Sequence, residues 1–71
     1  MKISYDDIKD LLYIRLDETR QDVINKRVAD DVVLDIGDGG KIVGIEIIDA
    51  SSHVDLRKIL PIHHEGIKAL A

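Results

Sequence analysis

The segment 35–52 constrains the fold of this chain more than any other. It reads Asp-Ile-Gly-Asp-Gly-Gly-Lys-Ile-Val-Gly-Ile-Glu-Ile-Ile-Asp-Ala-Ser-Ser. Within it, Asp38-Gly39 is typical of a hairpin, because a type I′ turn needs positive φ at both central residues and Asp followed by Gly tolerates this well. The segment therefore predicts the end of one strand, a tight turn, a second strand and the start of a helix.

The hairpin turn also predicts a register between its two strands. With the turn centred on Asp38-Gly39, the apolar residues Leu34 and Val32 are expected opposite Val43 and Ile45. The same register sets Asp31 opposite Glu46. Because like charges directly opposite each other are unfavourable, we expect a bulge or an early end to the pairing near this point.

Alternation of apolar and polar residues predicts the remaining strands. The strand that begins at Val43 has apolar side chains on both faces, so it is expected to be central and covered on both sides. After it, Val54, Leu56, Ile59 and Leu60 have helical spacing, with Ser52 and Asp55 as cap residues and Pro61 as the interruption. The strands are predicted at 2–5, 11–16, 23–28, 32–36 and 43–48.

The expected fold is a single α+β domain over residues 1–60, an antiparallel four- to five-stranded β-meander with one C-terminal helix. Residues 61–71 are expected to be a tail or an extension of the helix. A chain of 71 residues has no room for a second domain and buries only a thin core. Without Cys it cannot form a disulfide, so good packing or self-association must support it.

Composition limits the possible partners. The net charge is −4 and the pI is near 5.1, and the chain has two Tyr and neither Phe nor Trp. Such a chain repels phosphate backbones and lacks surfaces on which bases stack, so we expect no binding of nucleic acid on its own and favour a small basic protein as partner. No apolar run approaches the roughly 20 residues of a membrane span. Since the start at Met1–Asp7 is acidic, we expect a cytoplasmic protein that does not enter a membrane.

Several stretches resemble one small prokaryotic family. They cover roughly residues 4–52, and the run Gly-Ile-Glu-Ile-Ile-Asp-Ala-Ser at 44–51 is the most specific. The family they resemble is catalogued as domain of unknown function 2283. This resemblance implies a compact α+β domain without an established activity and, as for some members, an antitoxin-like role as the partner of a small RNase-type toxin. The stretches are Tyr5-Asp6, Asp10, Leu12–Leu16, Val33–Asp35 and Gly40–Ser51.

No motif predicts a cofactor or a metal site. The loop that begins at Asp35 resembles a calcium loop, but Gly37 and Gly39 bring no side-chain oxygen to the alternate positions. It is not a P-loop either, because Gly40-Lys41 is followed by Ile rather than Ser or Thr. Adjacent histidines at 63 and 64 point apart and, with His53, do not reproduce the spacing of a zinc motif.

Catalysis also lacks a motif, so we expect no enzymatic activity and no catalytic residues. The acidic residues at 6, 7 and 10 are typical of a turn. Ser51 is a cap residue without a base beside it. Glu46 and Asp49 lie among isoleucines, and the alternative to an interaction module is therefore a small ligand-binding protein or enzyme that uses these two carboxylates with Tyr13.

The favoured function is a protein-interaction module. One short helix cannot cover both faces of the sheet, and an exposed apolar patch marks an interaction site. Tyr13 is expected to anchor it, since Tyr buries a large area at a small cost in entropy. This predicted surface forms a homodimer or binds a protein partner, and it consists of Leu11, Tyr13, Val33, Ile42 and Ile48.

Overall fold

The computed structural model describes residues 1–59. All five segments that were predicted as strands are strands, with ends that agree to within one residue. Two short 3-10 turns, at Asp38–Gly40 and Ala50–Ser52, and one helical turn accompany them. The elements are β1 (Lys2–Asp6), β2 (Leu11–Arg15), β3 (Ile24–Ala29), β4 (Val32–Ile36), β5 (Ile42–Ile48) and α1 (Leu56–Ile59).

The five strands form one antiparallel sheet in the order β1-β2-β5-β4-β3. The predicted meander is therefore wrong in one respect, because β5 separates β2 from β3. The prediction that β5 is central is confirmed, and this central position explains the strand order. A strand with apolar side chains on both faces is most stable where neighbours and cover are available on both sides, and the chain reaches this order by a long connection from β2 to β3.

The connection over residues 16–23 crosses the end of the sheet and is held there by hydrogen bonds. The backbone amides of Leu16 and Asp17 both donate to the carbonyl oxygen of Val43, at 2.8 and 3.2 Å. On the far side, the amide of Asp38 donates to the side-chain oxygen of Gln21 at 2.8 Å. This connection, the crossing loop, therefore joins β2, β5 and the β4–β5 turn.

The predicted register of β4 and β5 is wrong by two residues. Leu34 lies opposite Ile45, and Val32 lies opposite Ile47. One residue of this shift is caused by the turn, which is a longer 3-10 turn with positive φ at Gly39 and Gly40. The other is a bulge, because Asp35 pairs with Gly44 and the next residue, Ile36, pairs with Ile42. Two shifts of one residue keep Leu34 and Ile45 on a shared face, and Glu46 faces Val33 instead of Asp31.

One face of the sheet holds the buried core. The side chain of Leu12 is fully buried at its centre. The 3-10 turn at Ala50–Ser52 and α1 cover this part of β1, β2 and β5. The cluster consists of Ile3, Tyr5, Leu12, Ala50 and Leu56, with Ile14, Ile47 and Val54 packed against it.

The helix is shorter than predicted in the part of the chain that the structure describes. It begins at Leu56, and the side chain of Asp55, not that of Ser52, accepts a hydrogen bond from the amide of Arg57 at 3.1 Å. An Asp in this position satisfies a free amide of the first turn, which is the role of a cap. The helical prediction for Leu60 and the predicted tail or extension over 61–71 lie outside the described residues.

Replacing Leu12 with Ala is expected to lower the free energy of unfolding by about 2–5 kcal/mol, because it removes apolar contacts and leaves a cavity in the core. Ile8, which is 89% exposed in the β1–β2 turn, provides the matched control. Ile8→Ala is expected to change stability by no more than about 0.5 kcal/mol. Urea denaturation of the full chain measures both, and equal losses would contradict the position of the core.

Candidate functional site

Over β3, β4 and β5, beyond the core cluster, the two faces of the sheet differ in chemistry. On the core side, β3, β4 and β5 present apolar residues that the core cluster does not include. Residues directly opposite each other in an antiparallel pair share a face, and the pairs Leu34–Ile45, Ile24–Ile36 and Ile36–Ile42 place these side chains together. We call this the open apolar surface, and it consists of Ile24, Leu34, Ile36, Ile42 and Ile45.

The open apolar surface is only partly shielded from solvent by the described residues. Ile24 is 73% exposed and Ile42 is 45% exposed, while Leu34, Ile36 and Ile45 are half-buried. Within the described strands, Lys26, opposite Leu34, is the one charged residue that the pairing places beside them. Contiguous apolar surface of this kind is a recognised mark of interaction sites.

The opposite face carries a polar cluster that crosses four strands. The Tyr13 hydroxyl donates to Oδ2 of Asp35 at 2.6 Å, and the Asn25 amide donates to Oδ1 of the same carboxylate. Arg15 Nη1 donates in turn to the Tyr13 hydroxyl oxygen at 3.2 Å. Because Arg15, Gly44, Asp35 and Asn25 lie in one row of the sheet, the cluster joins β2, β5, β4 and β3 crosswise.

Gly44 provides the room for this cluster. A Cβ atom at Gly44 would lie 2.2 Å from the Tyr13 hydroxyl oxygen and 3.2 Å from Oδ2 of Asp35. The ring of Tyr13 therefore passes over the backbone of the central strand to reach β4, which no residue larger than Gly permits at this position. This contact was not predicted from the sequence. Its only signal was an isolated Gly inside a strand, which indicates a close approach of another group.

The hydrogen bonds of this cluster have a structural role, because they connect four strands of the sheet. Burial is the main cause that raises the pKa of Tyr13, and the hydrogen bond to Asp35 adds to it, so the hydroxyl remains a neutral donor. Asp35 is 7% exposed, and both its oxygens accept hydrogen bonds. Arg15 also donates from Nε to the carbonyl oxygen of Asp17 at 2.6 Å, which connects the cluster to the crossing loop.

A second polar cluster connects the β1–β2 turn to the cover of the core. Oδ1 of Asp10 accepts the Tyr5 hydroxyl at 2.8 Å and the Ser51 amide at 3.0 Å. The Ser51 hydroxyl donates to Oδ2 at 2.6 Å, and the Asp10 carbonyl oxygen accepts the Ala50 amide at 3.0 Å. Asp10 makes these contacts from a left-handed backbone with φ of 52°, a conformation that Asp tolerates better than most residues.

Hydrogen bonds shift the pKa values within this second cluster in opposite directions. The Ser51 hydroxyl is the main cause that lowers the pKa of Asp10, and the Tyr5 hydroxyl also lowers it. The Asp10 carboxylate in turn raises the pKa of Tyr5 to about 12, with burial as a further cause. Asp10 and Ser51 were predicted as a turn residue and a cap residue. The missed signal was Tyr5 on an inward face, because a buried tyrosine hydroxyl needs a polar partner.

The structure divides the interface that was predicted from the sequence. Leu11 pairs with Ile48, and Glu46 pairs with both Tyr13 and Val33, so four of the five predicted residues lie on the face of the Tyr13 cluster. Ile42 is paired with Ile36 beyond the bulge and so lies on the opposite face.

Val33 is already buried, and Tyr13 is engaged with Asp35. These placements leave that interface a prediction and direct attention to the open apolar surface.

The carboxylates of the alternative prediction do not enclose a site. Glu46 is half-buried on the face of Tyr13, whereas Asp49 is exposed beyond the end of β5, with φ of 54°. A shallow recess of about 410 Å³ near the last described residues includes neither. It is lined by Ser51, Val54, Asp55, Leu56 and Arg57.

Other candidate features take ordinary structural roles in the described part of the chain. His53 Nε2 lies 2.9 Å from Oδ2 of Asp31, and residues 63 and 64 lie outside the described residues. Over residues 1–59 no three acidic or histidine side chains gather in a way that would hold a metal ion. In the same range, every buried side-chain nitrogen and oxygen has a hydrogen-bond partner, and no helix has the length and apolar character needed to cross a membrane.

Comparison with known proteins gives one family. A family model described as "Protein of unknown function (DUF2283)" matches residues 2–51, which is more than half of the 71-residue chain. The matched range contains all five strands and both polar clusters. No match is found among curated proteins or among solved structures.

Gly44→Ala is expected to destabilise the protein by roughly 1–3 kcal/mol, because Tyr13 must move and leave Asp35 without one of its buried donors. In a Tyr13→Val background this cost is expected to disappear or to change sign, since Ala is otherwise better than Gly in a strand by about 0.5–1 kcal/mol. Urea denaturation of the two single variants and the double variant measures the coupling. Equal effects of Gly44→Ala in both backgrounds would contradict the contact.

Asp10→Asn is expected to weaken the dependence of stability on acid pH. Since the folded-state pKa of Asp10 lies below its ordinary value of 3.8, its contribution is present above that pH and is lost as the pH falls through the folded-state pKa. The difference in urea midpoint between wild type and Asp10→Asn should therefore narrow from about pH 5 to about pH 2. Asn keeps the left-handed backbone accessible, and a difference that stays constant with pH would contradict the assignment.

Proposed function

The chain belongs to the family described as proteins of unknown function (DUF2283), which brings no activity with it, and we propose that it is a non-enzymatic protein-interaction module that self-associates as a homodimer. The observation that carries the proposal is the open apolar surface. Its five residues lie on three adjacent strands, and the described residues leave Ile24 largely exposed. A second copy of the same chain is the occupant that its chemistry favours.

Charge argues for a second copy over a basic partner. The open apolar surface contains no carboxylate, although the chain as a whole carries a net charge of −4. A basic protein would find nothing on this surface to pair with, and its cations would lose hydration on contact. A two-fold contact sets these five apolar side chains against an identical set, with Lys26 beside them on the edge strand β3. Two sheet faces pack well in this manner, about 10 Å apart with interdigitating side chains.

Size supports the same conclusion. A domain near this length buries only about 60% of its unfolded-chain surface on folding alone, less than larger domains do. Association is one of the few ways to bury more in a chain without Cys. Each apolar side chain transferred from water into a packed interface contributes roughly 1.5–3 kcal/mol when its burial is complete. Ile24 and Ile42, exposed as they are, gain the most from such a contact.

The alternatives have no comparable observation behind them. A ligand-binding protein or enzyme would require Glu46 and Asp49 to converge, and Asp49 is exposed beyond the strand that carries Glu46. An antitoxin-like role would require a basic surface on the partner to meet an acidic one here. The open apolar surface offers apolar contact instead, so self-association is the function that the geometry supports best.

The full chain is expected to be a dimer at micromolar concentration, and Leu34→Lys is expected to convert it to a monomer, because the ammonium group would lose its hydration inside the contact without a carboxylate to pair with. Ile24→Lys, at a largely exposed position, is a second variant that leaves the core intact. Leu11→Lys on the opposite face is the matched control and should remain dimeric. Sedimentation equilibrium measures the mass, and circular dichroism confirms that each variant is folded.

Methyl NMR on the same proteins separates the possible failures. In the dimer, a soluble paramagnetic agent should leave the methyl signals of Ile24, Leu34 and Ile45 unaffected. In the Leu34→Lys variant, it should broaden the methyl signals of Ile24 and Ile45. A monomeric wild type overturns the dimer. Accessible methyl groups would then leave the surface open to a different protein, whereas protected ones would show that residues 60–71 of the same chain cover it. Loss of the dimer only in Leu11→Lys would instead support the surface predicted from the sequence.

A further inference from the structure

The outer edge of β3 has a different character from the open apolar surface. Among the strands of residues 1–59, β3 is the last of the sheet and pairs only with β4. All six of its residues, Ile24–Ala29, are exposed. We propose that this edge binds an extended, acidic segment of a partner protein by strand addition, in which the added strand pairs with the free backbone groups of β3.

The two edges of the sheet are not equivalent. In β1, at the other edge, Ile3 and Tyr5 are buried in the core. The amino group of Met1 also lies 3.4 Å from Oε2 of Glu18 in the crossing loop, so the start of β1 lies against another part of the chain. β3 has neither buried residues nor such a neighbour in the described chain. An edge that is exposed on both faces allows a partner strand to approach without displacing anything.

β3 is nevertheless held in its extended form. The Asn25 side chain donates to Asp35, and Arg27 Nη1 donates to the carbonyl oxygen of Asp30. The strand therefore does not need to become ordered when a partner binds. Binding to a preformed strand avoids part of the entropy cost of association, so main-chain hydrogen bonds contribute more to affinity.

Charge selects the kind of partner. Lys26 and Arg27 are adjacent on β3 and point to opposite faces, while β3 contains no acidic residue. An antiparallel copy of β3 centred on Lys26 or Arg27 would set like charges directly opposite each other, which is unfavourable. Lysine on an edge strand is a common means of preventing such self-pairing. Two consecutive acidic residues in an added strand would instead meet one cation on each face.

The expected partner segment follows from this register. In an antiparallel strand, two consecutive Glu lie opposite Arg27 and Lys26, and β-branched residues on either side lie beside Val28 and Ile24. The probe is therefore an acetylated and amidated peptide that contains Val-Glu-Glu-Thr-Val. Its matched control contains Val-Lys-Lys-Thr-Val. A third peptide keeps the Glu-Glu sequence but is N-methylated on alternate backbone nitrogens, which removes strand pairing and preserves the charge.

The test uses ¹⁵N-labelled full chain and follows the amide signals and hydrogen exchange of residues 24–29 during titration. The Glu-Glu peptide is expected to shift these signals and to slow their exchange, and the Lys-Lys peptide is expected to bind at least about tenfold more weakly. Lys26→Glu should abolish this preference, because each peptide then has one attractive and one repulsive charge pair with β3. If backbone hydrogen bonds to β3 hold the peptide, methylation of the peptide backbone should abolish binding.

Three results would overturn the proposal. Equal binding of the methylated peptide would show charge attraction without strand addition. Signals that shift away from β3, or no shift at millimolar peptide, would show that the edge is not the site. Slow exchange along the outer edge of β3 before any peptide is added, lost on dilution, would show that another copy already occupies it. None of these readouts depends on whether the open apolar surface forms a dimer.

Discussion

The central strand β5 is the constraint on which the rest of the structure depends. It pairs with β2 on one edge and with β4 on the other, and its side chains alternate between the buried core at Ile47 and the opposite face at Glu46. The bulge at Val43 brings Gly44 opposite Asp35, and the missing side chain at Gly44 lets Tyr13 cross the strand. The bulge and the glycine, which are adjacent in sequence, thus contribute to the register of the sheet and to the position of the Tyr13 cluster.

Local pattern predicts much of this fold from the sequence. The alternation of Leu12, Ile14 and their neighbours identifies strands to within one residue, because side-chain direction in a strand depends only on the backbone. The order of the strands does not follow from local pattern. A meander and the observed order use the same strands, and they differ in whether β2 pairs with β3 or with β5. The register was wrong for a similar reason, since Asp38-Gly39 favours a two-residue turn while Gly40 permits a longer one.

The polar contacts were the least predictable part of the candidate site. Tyr13 was expected to be an interface anchor because its face and size suit that role, and only the position of Asp35 two strands away shows that its hydroxyl is already used. Asp10 and Ser51 are 41 residues apart in sequence. Their contact depends on where the chain passes after β5, which periodicity does not determine. The family resemblance covered these residues without assigning them a role.

The open apolar surface and the edge of β3 are compatible because they use different groups of the same strand. In the proposed dimer, a second copy packed on the sheet face would contact side chains such as Ile24 and Leu34, which project from the plane of the sheet. Strand addition uses the backbone amides and carbonyls of β3, which point sideways within that plane. The apolar side chains are those proposed to contact an identical chain, whereas Lys26 and Arg27 disfavour an identical strand at the edge and favour an acidic one. Two adjoining regions of one small sheet can therefore select for different partners.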